Sequence, residues 1–332
     1  ERLLGRVPTT DLMAEYFLGD HHSWLFLVRD GNVTVHPLLG AAGIDDAVRT
    51  LVAGLRSADA TDGSEMATPL RATYPGPLRE AGAAARVWLV PDGALHAVPL
   101  AALPGIVDAN GWLAAAEIVV VPSLRAVELA ALRPRTLASQ ATIAVIADPI
   151  FEADDPRIQG VDRRQVASLE VRAATGLRTR ASTRLDSLQR LPASADEGRA
   201  IAALVASEQS VLLIGADATR EAVLGTALRA VRYLHFATHG VADAQDPEPS
   251  ALVVSQFAAD GRPQDGTVRL HDLTGLELDA EVVVLSACET ALGRAIRGEG
   301  LVGLSHGFLR AGARTVVASL WPVADTATAV LM

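Results

Sequence analysis

The stretch Val282-Val283-Val284-Leu285-Ser286-Ala287-Cys288-Glu289-Thr290 is the point from which the fold class of this 332-residue chain is read. A hydrophobic strand, Glu281–Ala287, runs straight into a cysteine and two polar residues where the chain leaves the core. Two other stretches have the same shape. Thr142–Ala147 is a continuous apolar run, the pattern of a strand buried on both faces, and it runs into Asp148-Pro149. Tyr233–Thr238 runs into His239-Gly240. Between and around them, Asp196–Ala206, Thr219–Arg229 and Gly300–Ala311 read as helices, and Val211–Ile214 and Thr315–Leu320 as further strands. Strands alternating with helices predict a largely parallel sheet covered on both faces.

The first half reads differently. Leu12–Leu18, Trp24–Val28 and Val33–Leu38 are strand-like, with Asp30-Gly31-Asn32 as a turn between the last two. Val48, Leu51, Val52 and Leu55 recur at helical spacing within Asp45–Arg56. Val87–Val90, closed by Pro91-Asp92-Gly93, and Glu117–Pro122 are short strands. A helix over Ser123–Leu132 ends at Arg133-Pro134-Arg135, the best linker candidate. The long arginine-rich and acidic segment Phe151–Leu191 is expected to run as loop and helix over the surface, and Val241–Gly266 as a loop with a hairpin. Glu1 in place of Met predicts a start further upstream, and Thr326–Met332, with Asp325 as its cap, reads as a helix cut off after its start.

Composition excludes several functions. The length fits two compact units with ample buried core. All 29 basic residues are arginine, against 39 acidic ones, for a formal net charge of −10. That balance argues against direct nucleic-acid binding, which needs a positive surface to displace phosphate counterions. No apolar run approaches the roughly 20 residues of a membrane helix, and no signal peptide is evident. The single cysteine, Cys288, rules out an internal disulfide and any multi-thiolate metal site.

Ligands of open α/β sheets bind beyond the carboxyl ends of the strands. If the three strands are parallel neighbours, Asp148, His239 and Cys288 share one edge. A thiol attacks as thiolate and needs a nearby base, which His239 would supply. The bland readings stand beside this one: a lone cysteine is most often a small buried hydrophobe, and Asp148 before Pro149 shapes a turn as readily as it serves a site. His235, between Leu234 and Phe236, reads as a core histidine; as a zinc pair with His239 it lacks a third ligand. Gly303-Leu304-Ser305-His306-Gly307 imitates a nucleophile elbow, but Leu301, Leu304 and Phe308 are helically spaced, so Ser305 falls inside a helix with no strand before it. Gly298-Glu299-Gly300-Leu301-Val302-Gly303 imitates a dinucleotide fingerprint, but follows a polar loop; its glycines are expected to let the helix approach the sheet.

On Tyr233–Gly240, Val283–Thr290, Gly298–Gly303 and Gly312–Pro322, the sequence resembles the CHAT domains, caspase-like relatives of separase often joined to tetratricopeptide repeats. Weaker echoes lie at Asp148-Pro149, Pro91–His96 and Glu15–Leu18. The resemblance implies a caspase-hemoglobinase-like three-layer α/β sandwich with a mostly parallel sheet, in which a degenerate half, residues 1–135, precedes an active half, residues 136–332, truncated at its C-terminus. It implies a bacterial, cytoplasmic cysteine endopeptidase without metal or cofactor. His239 and Cys288, 49 residues apart, match the dyad, and the backbone N–H groups of Gly240 and Cys288 the oxyanion hole. Ser319, Leu320 and Trp321 match the strand that pairs with an extended substrate, with Trp321 as an apolar wall. Asp148 falls where related peptidases place a residue of the first specificity pocket, which favours Arg or Lys before the scissile bond. Ala291 stands where the family usually has glycine. The implied partners are a protein or peptide substrate and a sensor domain, such as tetratricopeptide repeats, in the same full-length chain. Two rival readings keep the same residues: an inactive CHAT scaffold that binds protein partners, and a thiol acyltransferase or hydrolase acting on small molecules.

Overall fold

The computed structural model describes residues 8–56, 70, 73–74, 78, 84–100, 117–123, 142–158, 188–241, 250–286, 294–296, 300–320 and 325–332, with backbone alone at 294–296 and 300–302. The chain divides into two compact units, Glu1–Arg133 with Ala295–Leu301, and Pro134–Arg294 with Val302–Met332.

The first unit is built on strands β1 (Asp11–Phe17), β2 (Ser23–Arg29) and β3 (Asn32–Leu38), helix α1 (Ala41–Arg56), and strands β4 (Arg86–Val90) and β5 (Glu117–Val120). Their sheet has the order β3-β2-β1-β4-β5. The first three strands pair antiparallel, while β4 and β5 continue parallel to β1. The expected turn is a two-residue hairpin. Arg29 pairs with Asn32, and Asp30 and Gly31 both take positive φ, 52° and 74°. That is the pattern whose twist matches the flanking strands and that Asp-Gly tolerates best. Leu12, Ala14 and Tyr16 point to the face covered by α1, and Met13 points to the other. Helix α1 starts four residues before the predicted Asp45, because Ile44 extends the stripe of Val48 and Leu51 back by one turn.

The second unit contains β6 (Ile143–Ala147), α2 (Pro192–Ala202), β7 (Ser210–Ile214), α3 (Arg220–Leu224), β8 (Tyr233–Ala237), β9 (His239–Val241), β10 (Ala251–Val253), β11 (Thr267–Arg269), α4 (Leu270–Leu273) and β12 (Val282–Leu285). Next in the chain, β13 (Arg294–Ile296) pairs with β14 (Gly300–Val302), most of both strands belonging to the first unit, and α5 (Leu304–Ala311), β15 (Thr315–Ala318) and α6 (Asp325–Leu331) complete the second. The main sheet, β15-β12-β8-β6-β7, is parallel throughout. Strand β6 is buried along its whole length, as its apolar run predicts. Ala144 and Ile146 join the layer of Val223 (α3), Leu273 (α4), Leu304 and Phe308 (α5). Ile143, Val145 and Ala147 meet Ile201 of α2 on the opposite face. Phe308 stacks on Phe236 with ring centroids 5.3 Å apart; a fully buried side chain of this size stabilises by about 1.5–3 kcal/mol. The second unit is thus the expected α/β sandwich, a parallel sheet between helical layers.

Several local expectations fail for identifiable reasons. The helix predicted over Thr219–Arg229 is broken into α3 and a 3-10 turn at Thr226–Leu228. The Thr219 hydroxyl caps α3 by accepting the Ala222 N–H at 3.1 Å, and extended Gly225 (φ −70°, ψ 168°) stops it. Helix α2 starts earlier than predicted, at Pro192, where the missing N–H costs nothing. Phe151 and Ala153 are buried instead of running over the surface, and Leu188 and Leu191 pack against Phe151, Val241 and Val253; residues 159–187 lie outside the described residues. The helix expected from Gly300 begins at Leu304, after β14. Within α5, Gly307 permits a close approach: a Cβ there would stand 2.8 Å from Leu270 and Leu273, so it brings α5 against α4. The predicted helix over Ser123–Leu132 beyond Ser123, and the linker Arg133-Pro134-Arg135, lie outside the described residues.

Candidate active site

Parallel register brings the candidate strand ends to one edge. Ala147 pairs with Ala237, Phe236 with Leu285, and Leu285 with Ala318. The next residues on β6, β8, β12 and β15 are therefore Asp148, Thr238, Ser286 and Ser319, all at the carboxyl end where open α/β sheets place their ligands. His239 follows Thr238, whose hydroxyl donates to the Val253 carbonyl. Gly240 lies in β9 opposite Leu252 of β10. Ser319 and Leu320, both half-buried, extend from β15. Cys288, Trp321 and Ala291 lie outside the described residues; Cys288 follows Ser286 by two residues in the chain.

His239 is half-buried with its ring 4.9 Å from that of Phe151, centroid to centroid. Its Nε2 is 2.6 Å from the Gln189 carbonyl oxygen. A carbonyl only accepts, so Nε2 carries the proton and, in the neutral ring, Nδ1 is left with the lone pair. Burial pushes the imidazole below its ordinary 6.5, against opposing pulls from the Gln189 bond and the Asp325 charge. A neutral imidazole at neutral pH is one able to take a proton. The Asp325 carboxylate accepts the Ala193 N–H at 2.9 Å, in the first turn of α2.

Asp148 is buried, and its backbone takes φ 41°, unusual for a residue other than glycine. Its N–H donates to the Ser194 hydroxyl at 2.9 Å, and its carbonyl accepts from Gly215 N–H and Arg157 Nη1. Its carboxylate accepts from Arg157 Nη1 at 2.8 Å, and from Arg190 Nε at 3.1 Å and Nη2 at 2.8 Å. Arg157 also binds both oxygens of Asp155 and the Pro149 carbonyl.

No motif signals Gln189, Arg157 or Arg190: Gln189 acts through its main chain, and in sequence the arginines are indistinguishable from surface charge. His235 is a core histidine as expected, but its partner is Glu197 of α2, Nε2 to Oε1 2.5 Å, both side chains buried. Among the described residues no group of three His, Cys, Asp or Glu gathers for a metal. Ser305 does lie inside α5, but a strand, β14, precedes it; that strand pairs with β13 and stands outside the main sheet, so the elbow context still fails. In the Gly298–Gly303 motif, Gly300–Val302 form β14, which pairs with β13, so its glycines do not form the loop that joins a strand to a helix in a dinucleotide fingerprint.

Residues 64–332 match the family described as the CHAT domain. The chain belongs to that family. CHAT domains fall within the caspase-like cysteine peptidase clan. This CHAT domain is 30% identical to tetratricopeptide repeat protein 28 of Mus musculus over 162 residues, 40% of the chain and 6% of the mouse protein. It is 26% identical to the protein of the same name from Homo sapiens over the same shares. The match thus spans only a small part of these relatives' length. Among the described residues of this CHAT domain, no helix is long and apolar enough to cross a membrane.

Proposed function

We propose that this CHAT domain is a cysteine endopeptidase acting through His239 and Cys288. The observation that carries the reading is the β8–β12 pairing. The two strands are parallel hydrogen-bonded neighbours with Phe236 opposite Leu285, and His239 and Cys288 each follow that pair by three residues. Adjacent strands lie about 4.8 Å apart, so the chain reaches both residues from neighbouring points of one edge.

In this reading His239 Nδ1 takes the Cys288 thiol proton, and the sulfur attacks the peptide carbonyl carbon. The N–H groups of Gly240 and Cys288 receive the oxyanion, donors typically worth roughly 2.7–4 kcal/mol each. The imidazolium then gives its proton to the departing amine, and water hydrolyses the thioester. Asp148 recognises a basic side chain before the scissile bond. Ser319, Leu320 and Trp321 pair with the extended substrate backbone. Residues 1–135 act as the degenerate half and 136–332 as the active half, in a cytoplasmic protein regulated by a tetratricopeptide-repeat or other sensor domain.

Labelling with an electrophilic peptide directed at thiols tests the dyad. The wild-type chain is expected to label and cleave; Cys288→Ala is expected to do neither. Equal behaviour of the two chains would replace the peptidase with a scaffold. Profiling cleavage by an Asp148→Ala chain tests the pocket, and an unchanged preference for basic residues would reject that role.

A further inference from the structure

We propose that Arg190 is an internal occupant of the Asp148 pocket, held where a substrate's basic side chain binds, so that a peptide must exchange its own cation for it. The proposal rests on the reading of Asp148 as the residue that recognises that side chain.

Two guanidinium groups meet the buried Asp148 carboxylate, and they are held differently. Arg157 is built into its turn. Besides Asp148 it binds Asp155 through Nε at 2.8 Å and Nη2 at 2.6 Å, and it reaches the Asp148 and Pro149 carbonyls. Arg190 is 41% exposed, and among the described residues its side-chain hydrogen bonds all go to the Asp148 carboxylate. Arg190 is the one that can leave.

Charge counting says what must replace it. Among the groups hydrogen-bonded together here, Asp148 and Asp155 balance Arg157 and Arg190, and the Asp325 carboxylate, which feels the Asp148 charge, adds a further negative group nearby. With Arg190 swung out, one negative charge remains uncompensated at a buried carboxylate, a costly state that only a new cation relieves. An arginine or lysine side chain is such a cation, and arginine also repeats the two-pronged contact.

The backbone need not move. Leu188 and Leu191 pack against Phe151, Val241 and Val253, and the Leu191 carbonyl accepts from the Ser194 hydroxyl at 2.7 Å, itself the acceptor of the Asp148 N–H. The Gln189 carbonyl therefore stays on His239 while the neighbouring side chain rotates into solvent. Exchange at the pocket then leaves the imidazole aligned.

The test measures binding without chemistry. The full chain carrying Cys288→Ala is titrated by calorimetry with an acetylated peptide ending in arginine amide, and with the same peptide carrying norleucine in place of arginine. Adding Arg190→Gln is expected to tighten the arginine peptide at least tenfold and leave the norleucine peptide unchanged; adding Asp148→Asn as well is expected to erase the gain. Unchanged or weaker binding of the arginine peptide on Arg190→Gln would overturn the proposal, as would an equal gain for norleucine. Should Arg190→Gln fail to fold, Arg190→Lys, which keeps the charge but loses the fork, decides by the same criterion with a smaller expected gain. Cys288 labelling in the wild-type chain judges the peptidase reading separately, so loss of either result leaves the other interpretable.

Discussion

The imidazole of His239 and the main-chain carbonyl of Gln189, fifty residues apart in sequence, are joined by a 2.6 Å hydrogen bond from Nε2. A backbone acceptor fixes the ring's tautomer and orientation without itself titrating. The neutral ring offers Nδ1 as the base, and burial keeps the ring neutral to lower pH than a free histidine.

Nuclear magnetic resonance of a ¹⁵N-histidine-labelled Cys288→Ala chain is expected to show His239 as the Nε2–H tautomer, with a titration midpoint below 6.5. A midpoint at or above 6.5 would refute the burial argument. Between the folded midpoint and 6.5 the unfolded chain binds more protons, so this residue's share of stability is present above 6.5 and is lost as pH falls through the folded value.

His96 gives a larger acid sensitivity. Burial pushes it down to about 4, against the nearby Asp92 charge, and its Nε2 finds no hydrogen-bond partner among the described residues. A shift of this size corresponds to roughly 3 kcal/mol, complete above pH 6.5 and lost progressively towards pH 4. Urea midpoints followed over that range are expected to fall for the wild-type chain and to flatten for His96→Leu.

The buried Glu197–His235 bond ties α2 to β8. Glu197→Ala leaves a buried imidazole nitrogen without its partner and is expected to cost about 1–3 kcal/mol in chemical denaturation. Replacing both residues, as Glu197→Leu with His235→Phe, is expected to recover much of that loss. No recovery would show that the pair supplies more than mutual satisfaction.

Gly307 lets α5 close on α4, with space for no Cβ between Leu270 and Leu273. Gly307→Ala is expected to destabilise by roughly 1–3 kcal/mol through overpacking. Leu273→Ala in the same chain is expected to absorb part of the clash, giving a non-additive double mutant.

How far the chain could be read depended on where each signal resides. The burial of Ile143–Ala147 and the Asp30-Gly31 hairpin are local: an unbroken apolar run and a dipeptide that tolerates positive φ are visible without neighbours. The break at Gly225 was local too, but helical spacing outweighed one glycine. Arg157 and Arg190 were legible only as charge, because nothing local distinguishes an arginine in solvent from one folded onto a buried aspartate. Gln189 left no trace, since the peptide carbonyl it contributes is the same for every residue type.

The amino-acid order by itself determined the strands of the two five-stranded sheets, the family, and the residues with chemical capacity that follow the strand ends: Asp148, His239 and Cys288. It did so because periodicity, turn preference and side-chain chemistry are properties of short segments. Only the tertiary structure decided that β15, β12, β8, β6 and β7 lie side by side in that order. It alone brought Arg190 to Asp148 and Gln189 to His239. Those pairings join distant segments, and each survives because packing both faces of one sheet outweighs the entropy of closing the long loops between them.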